Sequence, residues 1–198
     1  IPDSIDNIID GKGRTLIPGI IDAHGHVGSY GFSLLRVDLA GASSEEEAAH
    51  RVLAFAEENS DLEWIQGRGW NQVLWDSNEF PTAASIDALV RDKPVWLARV
   101  DGHAGWANSA ALELAGINRE TEDPTGGQII RDANGDATGV LIDTAMSYVS
   151  SKIPSATHEE QKFALTTAMR SLAAYGITSV HDAGIGSLEY LEELGLAA

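Results

Sequence analysis

Two histidines near the start of the chain, His24 and His26, are the residues best suited to chemistry. They follow an apolar run at residues 16–21, entered through Pro18 and Gly19, which predicts a β-strand. Because side chains alternate across a strand, residues two apart lie on the same face. Two imidazoles on one face at a strand end can bind a divalent metal such as zinc. The same spacing also occurs in histidine pairs that are simply hydrogen-bonded near a surface, so the spacing alone leaves both interpretations open.

Asp22 belongs to the same predicted face, two residues before His24. Its carboxylate could accept a hydrogen bond from a metal-binding histidine and hold that ring in place. It could equally be a turn residue at the end of the strand. The sequence favours neither role over the other.

Four segments carry a resemblance to a known family. Pro18–His26 matches at every position the signature Pro-Gly-x-Ile-Asp-x-His-x-His of the metal-dependent amidohydrolase superfamily. Three further segments follow in the family's order, at residues 67–72 (GRGWNQ), 100–109 (VDGHAGWANS) and 176–184 (GITSVHDAG). Together they make the chain resemble, over nearly its whole length, the amidohydrolase-3 or YtcJ-like branch. An ordered set of four motifs is far more specific than a histidine pair.

The resemblance implies an α/β fold, a partial (β/α)8 TIM barrel of the amidohydrolase type. Residues 1–16 would be the remnant of an N-terminal β-sandwich, as two short strands around the turn Asp10–Gly13. Residues 17–59 would form the first barrel strand and helix. Residues 60–157 would be a mixed α+β insertion over the barrel mouth, and residues 158–198 would return to the barrel with its second strand. The alternative is that the intervening sequence itself supplies barrel strands.

Local patterns predict individual elements. The apolar run at residues 17–23 predicts a strand buried on both faces. Capping boxes, in which a Ser or Thr and a Glu three residues later satisfy free backbone N–H groups, predict helices that begin after Ser44 and after Thr157. Asn134–Gly135 predicts a hairpin turn, because both residues tolerate positive φ. A last short helix is predicted to start at Ser187.

The chain has 198 residues, whereas a complete (β/α)8 barrel takes about 250. We therefore expect the N-terminal part of a longer enzyme, inactive by itself. In the family that the chain resembles, the other metal ligands and an aspartate general base come from later barrel strands. Their motifs do not occur in this sequence, so no catalytic residue is identified in it.

The resemblance implies hydrolysis of an amide or other non-peptide C–N bond by a metal-activated water. It assigns His24 and His26 as ligands of a divalent metal, with zinc expected first. It also places Asp101 and His103 at the substrate cleft, where His103 would bind substrate or stabilise a developing oxyanion. The alternative for this polypeptide is a non-catalytic module that associates with itself, because two of eight barrel strands would expose edges for another copy.

Other residues are weaker candidates for substrate binding. Trp70 and Asn71 could form a wall beside the substrate, although a tryptophan beside glycines is more often part of a core. His181 ends the second predicted barrel strand, at the end where barrel sites lie. Arg68 and Arg99 could bind a carboxylate bidentately, but ordinary ion pairs are the simpler explanation in so acidic a chain.

The composition argues against several classes of partner. The formal net charge is -17, from 30 acidic and 13 basic residues, and such a charge repels nucleic acid and anionic membranes. There is no cysteine, hence no disulfide and no thiolate ligand. No apolar run reaches the roughly 18 residues of a membrane span, and no signal peptide is visible. We expect a small-molecule substrate, a homo-oligomer and a cytoplasmic location.

Overall fold

The computed structural model describes residues 9–184 together with Glu192 and Gly195. Helices and strands are both present throughout these residues. No helix among them is both long and apolar enough to cross a membrane. The elements in chain order are β1 (Ile20–Gly25), α1 (Val27–Leu34), β2 (Val37–Asp38), α2 (Glu45–Glu58), β3 (Ile65–Trp70), α3 (Ala83–Asp87), β4 (Val95–Arg99), β5 (Ala104–Ala107), α4 (Ser109–Ala115), β6 (Gly127–Arg131), β7 (Ala137–Asp143), α5 (Ser147–Ser150), α6 (His158–Ala174) and β8 (Ile177–Asp182).

The first and last strands form a small parallel sheet of their own, β1 beside β8. Ile20 pairs with Ile177, and Gly25 pairs with Asp182. The helices that follow β1 and precede β8, α1 and α6, pack against each other. The two ends of the described chain are thereby held together as one unit.

Strand β1 is not buried on both faces, as its apolar run predicted. Leu16, Ile17, Ile20 and Ile21 are 97%, 66%, 51% and 63% exposed. Within the described residues the small sheet has two strands, so one edge of β1 has no neighbour. The burial prediction was wrong for this reason, because a parallel strand is covered only by partners on both sides and both faces.

Residues 9–16 contain a turn at Lys12–Gly13, where Asp10 Oδ1 accepts the N–H of Lys12 (2.8 Å), and no strand. The strand predicted after this turn is absent, because no described strand pairs with it. The strand predicted before the turn falls largely on residues 1–8, which lie outside the described residues. The helix predicted from Ser187 lies outside them as well.

The larger sheet has six strands in the order β2-β3-β4-β5-β7-β6. β2, β3 and β4 run parallel, whereas β5, β7 and β6 are joined by antiparallel pairing. The predicted hairpin is present as β6 and β7. Two buried clusters lie on this sheet, one with α2 and α3 around Trp70 and Trp106, the other with α4 and α5 around Trp96 and Leu112. The mixed α/β fold class is thus confirmed.

Both predicted helix starts are confirmed. At α6, Thr157 and Glu160 form a complete capping box. At α2, the Ser44 hydroxyl accepts the N–H of Glu47 (3.0 Å). The Glu47 carboxylate, however, accepts hydrogen bonds from the backbone and hydroxyl of Ser43 rather than from Ser44.

Asn108 is a fully buried polar residue that joins the larger sheet to its helices. Its Oδ1 accepts the N–H groups of Val95 (2.9 Å) and Ala111 (3.1 Å). Its Nδ2 donates to the carbonyls of Val90 (3.0 Å) and Lys93 (2.8 Å). Both donors and both acceptor sites of the carboxamide are therefore used, and they tie the start of β4 to the N-terminus of α4.

The close contact between α1 and α6 depends on Gly31. A Cβ at that position would lie 2.2 Å from the carbonyl oxygen of Ala164, a distance that real Cβ contacts do not reach. Gly28, one turn earlier on the same helix, would place a Cβ 3.9 Å from a methyl of Leu165, which is ordinary contact. Gly31 thus allows the two helix backbones to approach.

We expect Gly31→Ala to lower the free energy of unfolding by about 1–3 kcal/mol, because the helices must move apart to admit the methyl group. Gly28→Ala is the matched control, expected to be neutral or stabilising by up to about 1 kcal/mol, since alanine favours a helix. Urea unfolding followed by circular dichroism measures both changes. A Gly31→Ala variant as stable as the wild type would contradict this account of the contact.

Candidate metal centre and its surroundings

His24 and His26 lie together at the C-terminal end of β1, His24 in the strand and His26 at the start of α1. Their ring centroids are 5.4 Å apart, with the ring planes at 83°. With zinc–nitrogen distances of about 2.0–2.1 Å and tetrahedral angles, two imidazoles on one ion have centroids roughly 5 Å apart. Both side chains are exposed, and neither ring has a hydrogen-bond partner within residues 9–184. The spacing of the two rings is compatible with two ligands of one ion.

The described residues hold no group of three or more His, Asp or Glu side chains placed to bind a metal. Catalytic zinc sites use three protein ligands and a water. A tight site at this pair would therefore need at least one ligand from outside the described part of the chain.

Asp22 supports the backbone here rather than a ring. Its Oδ1 accepts the backbone N–H of His24 (3.0 Å), which is the geometry of an Asx turn. No hydrogen bond joins it to either imidazole in the described structure. Of the two roles that the sequence left open, the structure favours the turn residue.

Asp182 was not predicted as a site residue, but it holds the backbone next to His26. Its Oδ2 accepts the N–H of Val27 (2.6 Å) in the first turn of α1, and its Oδ1 accepts the N–H of Gly184 (2.7 Å). A Cβ on Gly184 would lie 2.9 Å from Nδ1 of His26, so glycine leaves room for the ring. His26, Asp182 and Gly184 line a cavity of about 200 Å³.

His181, the residue that was predicted to face the pocket, is exposed and does not line this cavity. Consecutive residues of a strand point to opposite faces, and here Asp182 is the one that reaches the cavity. Alternation along the strand limits this role to one residue of the pair His181–Asp182, but the sequence does not say which one.

Trp70 and Asn71 do not form the predicted wall. Trp70 is fully buried, donates from Nε1 to the carbonyl of Leu97 (2.8 Å) and packs edge-to-face on Trp106. It is a core residue with no surface to offer a substrate. Asn71 is partly exposed, and its Oδ1 accepts the N–H of Val73 (3.2 Å) at a short 3-10 turn. Substrate binding by Asn71 stays a prediction.

His103 forms a dyad with Asp143. Its Nδ1 lies 2.7 Å from Oδ1 of Asp143, and its carbonyl accepts the N–H of Asp143 (3.0 Å). Asp101 accepts the backbone N–H of His103 (3.1 Å) and pairs with Arg99 (3.0 Å). The hydrogen bond and charge of Asp143, with a smaller effect of Asp101, raise the pKa of His103 above its ordinary value.

The backbone of Asp143 is strained where β7 ends. Its φ of 47° and ψ of -119° fall in a region that residues other than glycine rarely adopt. Such a conformation costs on the order of 1–3 kcal/mol, and it is most often retained at functional sites. Asp143 was not predicted, because its partner His103 is 40 residues away and no local pattern marks the pair.

A family model and several known proteins match the chain. Residues 7–196 match the family model Amidohydro_3, described as the amidohydrolase family. Protein LONG AFTER FAR-RED 3 of Arabidopsis thaliana is 39% identical over 173 residues, covering 87% of this chain and 30% of that protein. N-substituted formamide deformylase of Arthrobacter pascens is 32% identical over 146 residues, covering 73% of this chain and 27% of that protein.

A solved structure is similar as well. The crystal structure of an uncharacterized metal-dependent hydrolase from Pyrococcus horikoshii matches with a TM-score of 0.63 and 28% sequence identity. The match covers 90% of this chain and 34% of that one. The chain thus spans about a third of the length of the proteins that it matches.

We expect Asp143→Asn to lower the pKa of His103, because an amide offers Nδ1 no negative charge. Asparagine tolerates positive φ at least as well as aspartate, so the backbone should be retained. NMR titration of the His103 imidazole C2–H signal measures the pKa, and circular dichroism checks that both proteins have the same fold. If the two His103 curves coincide, the dyad is not what raises this pKa.

Proposed function

The chain belongs to the amidohydrolase family, and from this premise we propose that it supplies two ligands to the metal centre of a hydrolase that cleaves amide or other non-peptide C–N bonds. The family model covers most of the chain, so the predicted amidohydrolase-3 membership is confirmed. The observation that carries the proposal is the pair of exposed imidazoles of His24 and His26, whose ring centroids lie 5.4 Å apart at a strand end.

Two further arguments support the reaction class and the metal. The relative named N-substituted formamide deformylase acts, by its name, on an amide, which supports a C–N bond as the target here. Imidazole ligands suit zinc among the divalent metals, and zinc is the proposed ion. When bound, it supplies a Lewis acid and a water of lowered pKa.

We also propose that β1 and β8 are neighbouring strands of the barrel that the resemblance implies. They are parallel and directly paired, and helix α6 leads into β8. No strand of the larger sheet pairs with them in the described residues. This supports the interpretation of the intervening residues as an insertion rather than as barrel strands.

The chain's own residues would position the reaction. Asp182 fixes the first turn of α1 through Val27 and thereby the backbone that carries His26. Phe32 and Leu165 give the adjoining cavity an apolar wall that excludes water from part of it. With Nδ1 of His103 hydrogen-bonded to Asp143, the imidazolium form, which this carboxylate favours, carries a second proton on Nε2 that can be donated to a substrate oxygen. Asp101, which holds the backbone of His103, is proposed as its neighbour at the substrate cleft.

We expect His24→Ala combined with His26→Ala to abolish metal binding and to leave the fold intact, because both side chains are exposed. Plasma mass spectrometry after dialysis gives metal per chain, and circular dichroism checks the fold. The control is His50→Ala with His158→Ala, two exposed helical histidines that should not affect metal content. Unchanged metal in the His24 and His26 double variant would refute the ligand assignment.

A second proposed property is self-association through the edge of β1. The observation that favours it is the row of exposed apolar side chains from Leu16 to Ile21 beside an unpaired strand edge in the described structure. An open edge with apolar neighbours invites pairing with another copy. Such a homo-oligomer is compatible with the hydrolase proposal and is also the form expected of a non-catalytic module.

We expect the wild-type chain to elute above its monomer mass of 21.1 kDa in size-exclusion chromatography with light scattering, increasingly so at higher concentration. Ile21→Lys should shift the mass toward the monomer, because a charge at the edge opposes pairing. Leu114→Lys, at an equally exposed apolar residue of α4, is the control. A wild-type mass of 21.1 kDa at all concentrations would rule out this association.

A further inference from the structure

A second cavity adjoins the one beside His26. It has a volume of about 530 Å³ and is lined by residues of α1, β3 and β4 and by Gly102. Ser29 and Phe32 line both cavities, so the two spaces share a wall. A volume of this size is enough for a small organic molecule.

Three arginines line the second cavity. Arg36 follows α1, Arg68 lies on β3 and Arg99 lies on β4. No acidic side chain is among the lining residues. Because the chain has 30 acidic and only 13 basic residues, three arginines around one cavity without a carboxylate are the opposite of what its composition predicts.

Two of these three arginines lack a counter-ion in the part of the chain that the structure describes. Within the described residues Arg36 and Arg68 form no ion pair, whereas Arg99 pairs with Asp101. The ordinary ion pair anticipated for Arg68 and Arg99 is thus present only at Arg99. The Arg36 guanidinium lies 5.2 Å from the ring centroid of Phe32, and burial lowers its pKa. Arginine still stays protonated at neutral pH, so the cavity keeps an uncompensated positive charge.

The remaining lining is partly apolar. Phe32, Trp96, Ile153 and Pro154 contribute carbon surface next to the arginines. Guanidinium groups match carboxylates with paired hydrogen bonds, and the apolar side chains match a carbon skeleton. An inorganic anion would use only the first of these features, whereas an organic carboxylate would use both.

We propose that this cavity binds the carboxylate end of an organic acid, with the carboxylate on Arg36 and Arg68. Resting on the hydrolase function proposed above, the inference is that the substrate is an acidic amide: its carboxylate occupies the arginine cavity, and its C–N bond reaches the histidine pair across the wall of Ser29 and Phe32. The binding of a carboxylate itself does not depend on a metal.

The test is isothermal titration of the metal-free chain, prepared by chelation and desalting, with hippurate, which carries both an amide and a carboxylate. Hippuramide, the same molecule without the negative charge, is the matched ligand and should bind at least about tenfold more weakly, because hydrogen bonds between charged groups are the strong ones. Inorganic phosphate is the third probe. Phosphate binding as tight as that of hippurate, or no binding of hippurate at all, would overturn the proposal.

The variants locate the binding site. Arg68→Ala should weaken hippurate binding at least about tenfold, and Arg68→Lys should fall in between, since it keeps the charge but not the guanidinium fork. Arg91→Ala, at an exposed arginine outside the cavity, should bind hippurate like the wild type. Unchanged affinity in Arg68→Ala would overturn the assignment. Metal content is measured on separate, untreated preparations of the same proteins. A chain that binds hippurate but takes up no metal would contradict only the hydrolase proposal, whereas a chain that takes up metal but binds no hippurate would contradict only the carboxylate site.

Discussion

The parallel pairing of β1 with β8 is the constraint on which the candidate site depends. It brings together Val27 and Asp182, which are 155 residues apart in sequence and joined by a hydrogen bond of 2.6 Å. A two-stranded parallel sheet has little stability by itself, and here the contact of α1 with α6 at Gly31 and Ala164 reinforces it. The geometry of the histidine pair therefore depends on the packing of two helices, although neither histidine lies inside either helix.

The larger sheet is a rigid support that positions charged groups. Asn108 ties β4 to α4 with four hydrogen bonds, and β4 carries Arg99 at its end. The segment that follows has two functions at once. Gly102 lines the arginine cavity, while His103 pairs with Asp143. A ligand that displaces this segment would therefore change both the arginine cavity and the dyad of His103 and Asp143, because both include residues of this short stretch of backbone.

Features that depend on interactions between residues close in sequence could be predicted, whereas features that depend on contacts between distant residues could not. The starts of α2 and α6 and the hairpin of β6 and β7 were predictable, because caps and turns are decided within four or five residues. The burial of Trp70 agrees with the interpretation that a tryptophan beside glycines belongs to the core. The exposure of β1 depends on which other elements lie nearby, and no local pattern contains that information. The motif with two histidines identified the candidate ligands, but Asp182 and Asp143 acquire their roles only through strand pairing and the backbone strain of the folded chain.

The two adjoining cavities differ in volume and in lining residues, and this difference favours separate roles in binding. In the proposed metal centre the histidine pair would supply two of the three protein ligands that a catalytic zinc uses, and its cavity of about 200 Å³ is small. The arginine cavity is larger and can hold a substrate by a part that does not react. Binding energy from such a remote group serves catalysis when it fixes the reacting bond in position, since orientation replaces the entropy cost of an encounter. Ser29 and Phe32, which line both cavities, lie on α1. The same helix is held to α6 by Gly31, so the packing that orients His26 also sets the distance between the anchoring and reacting ends of the site.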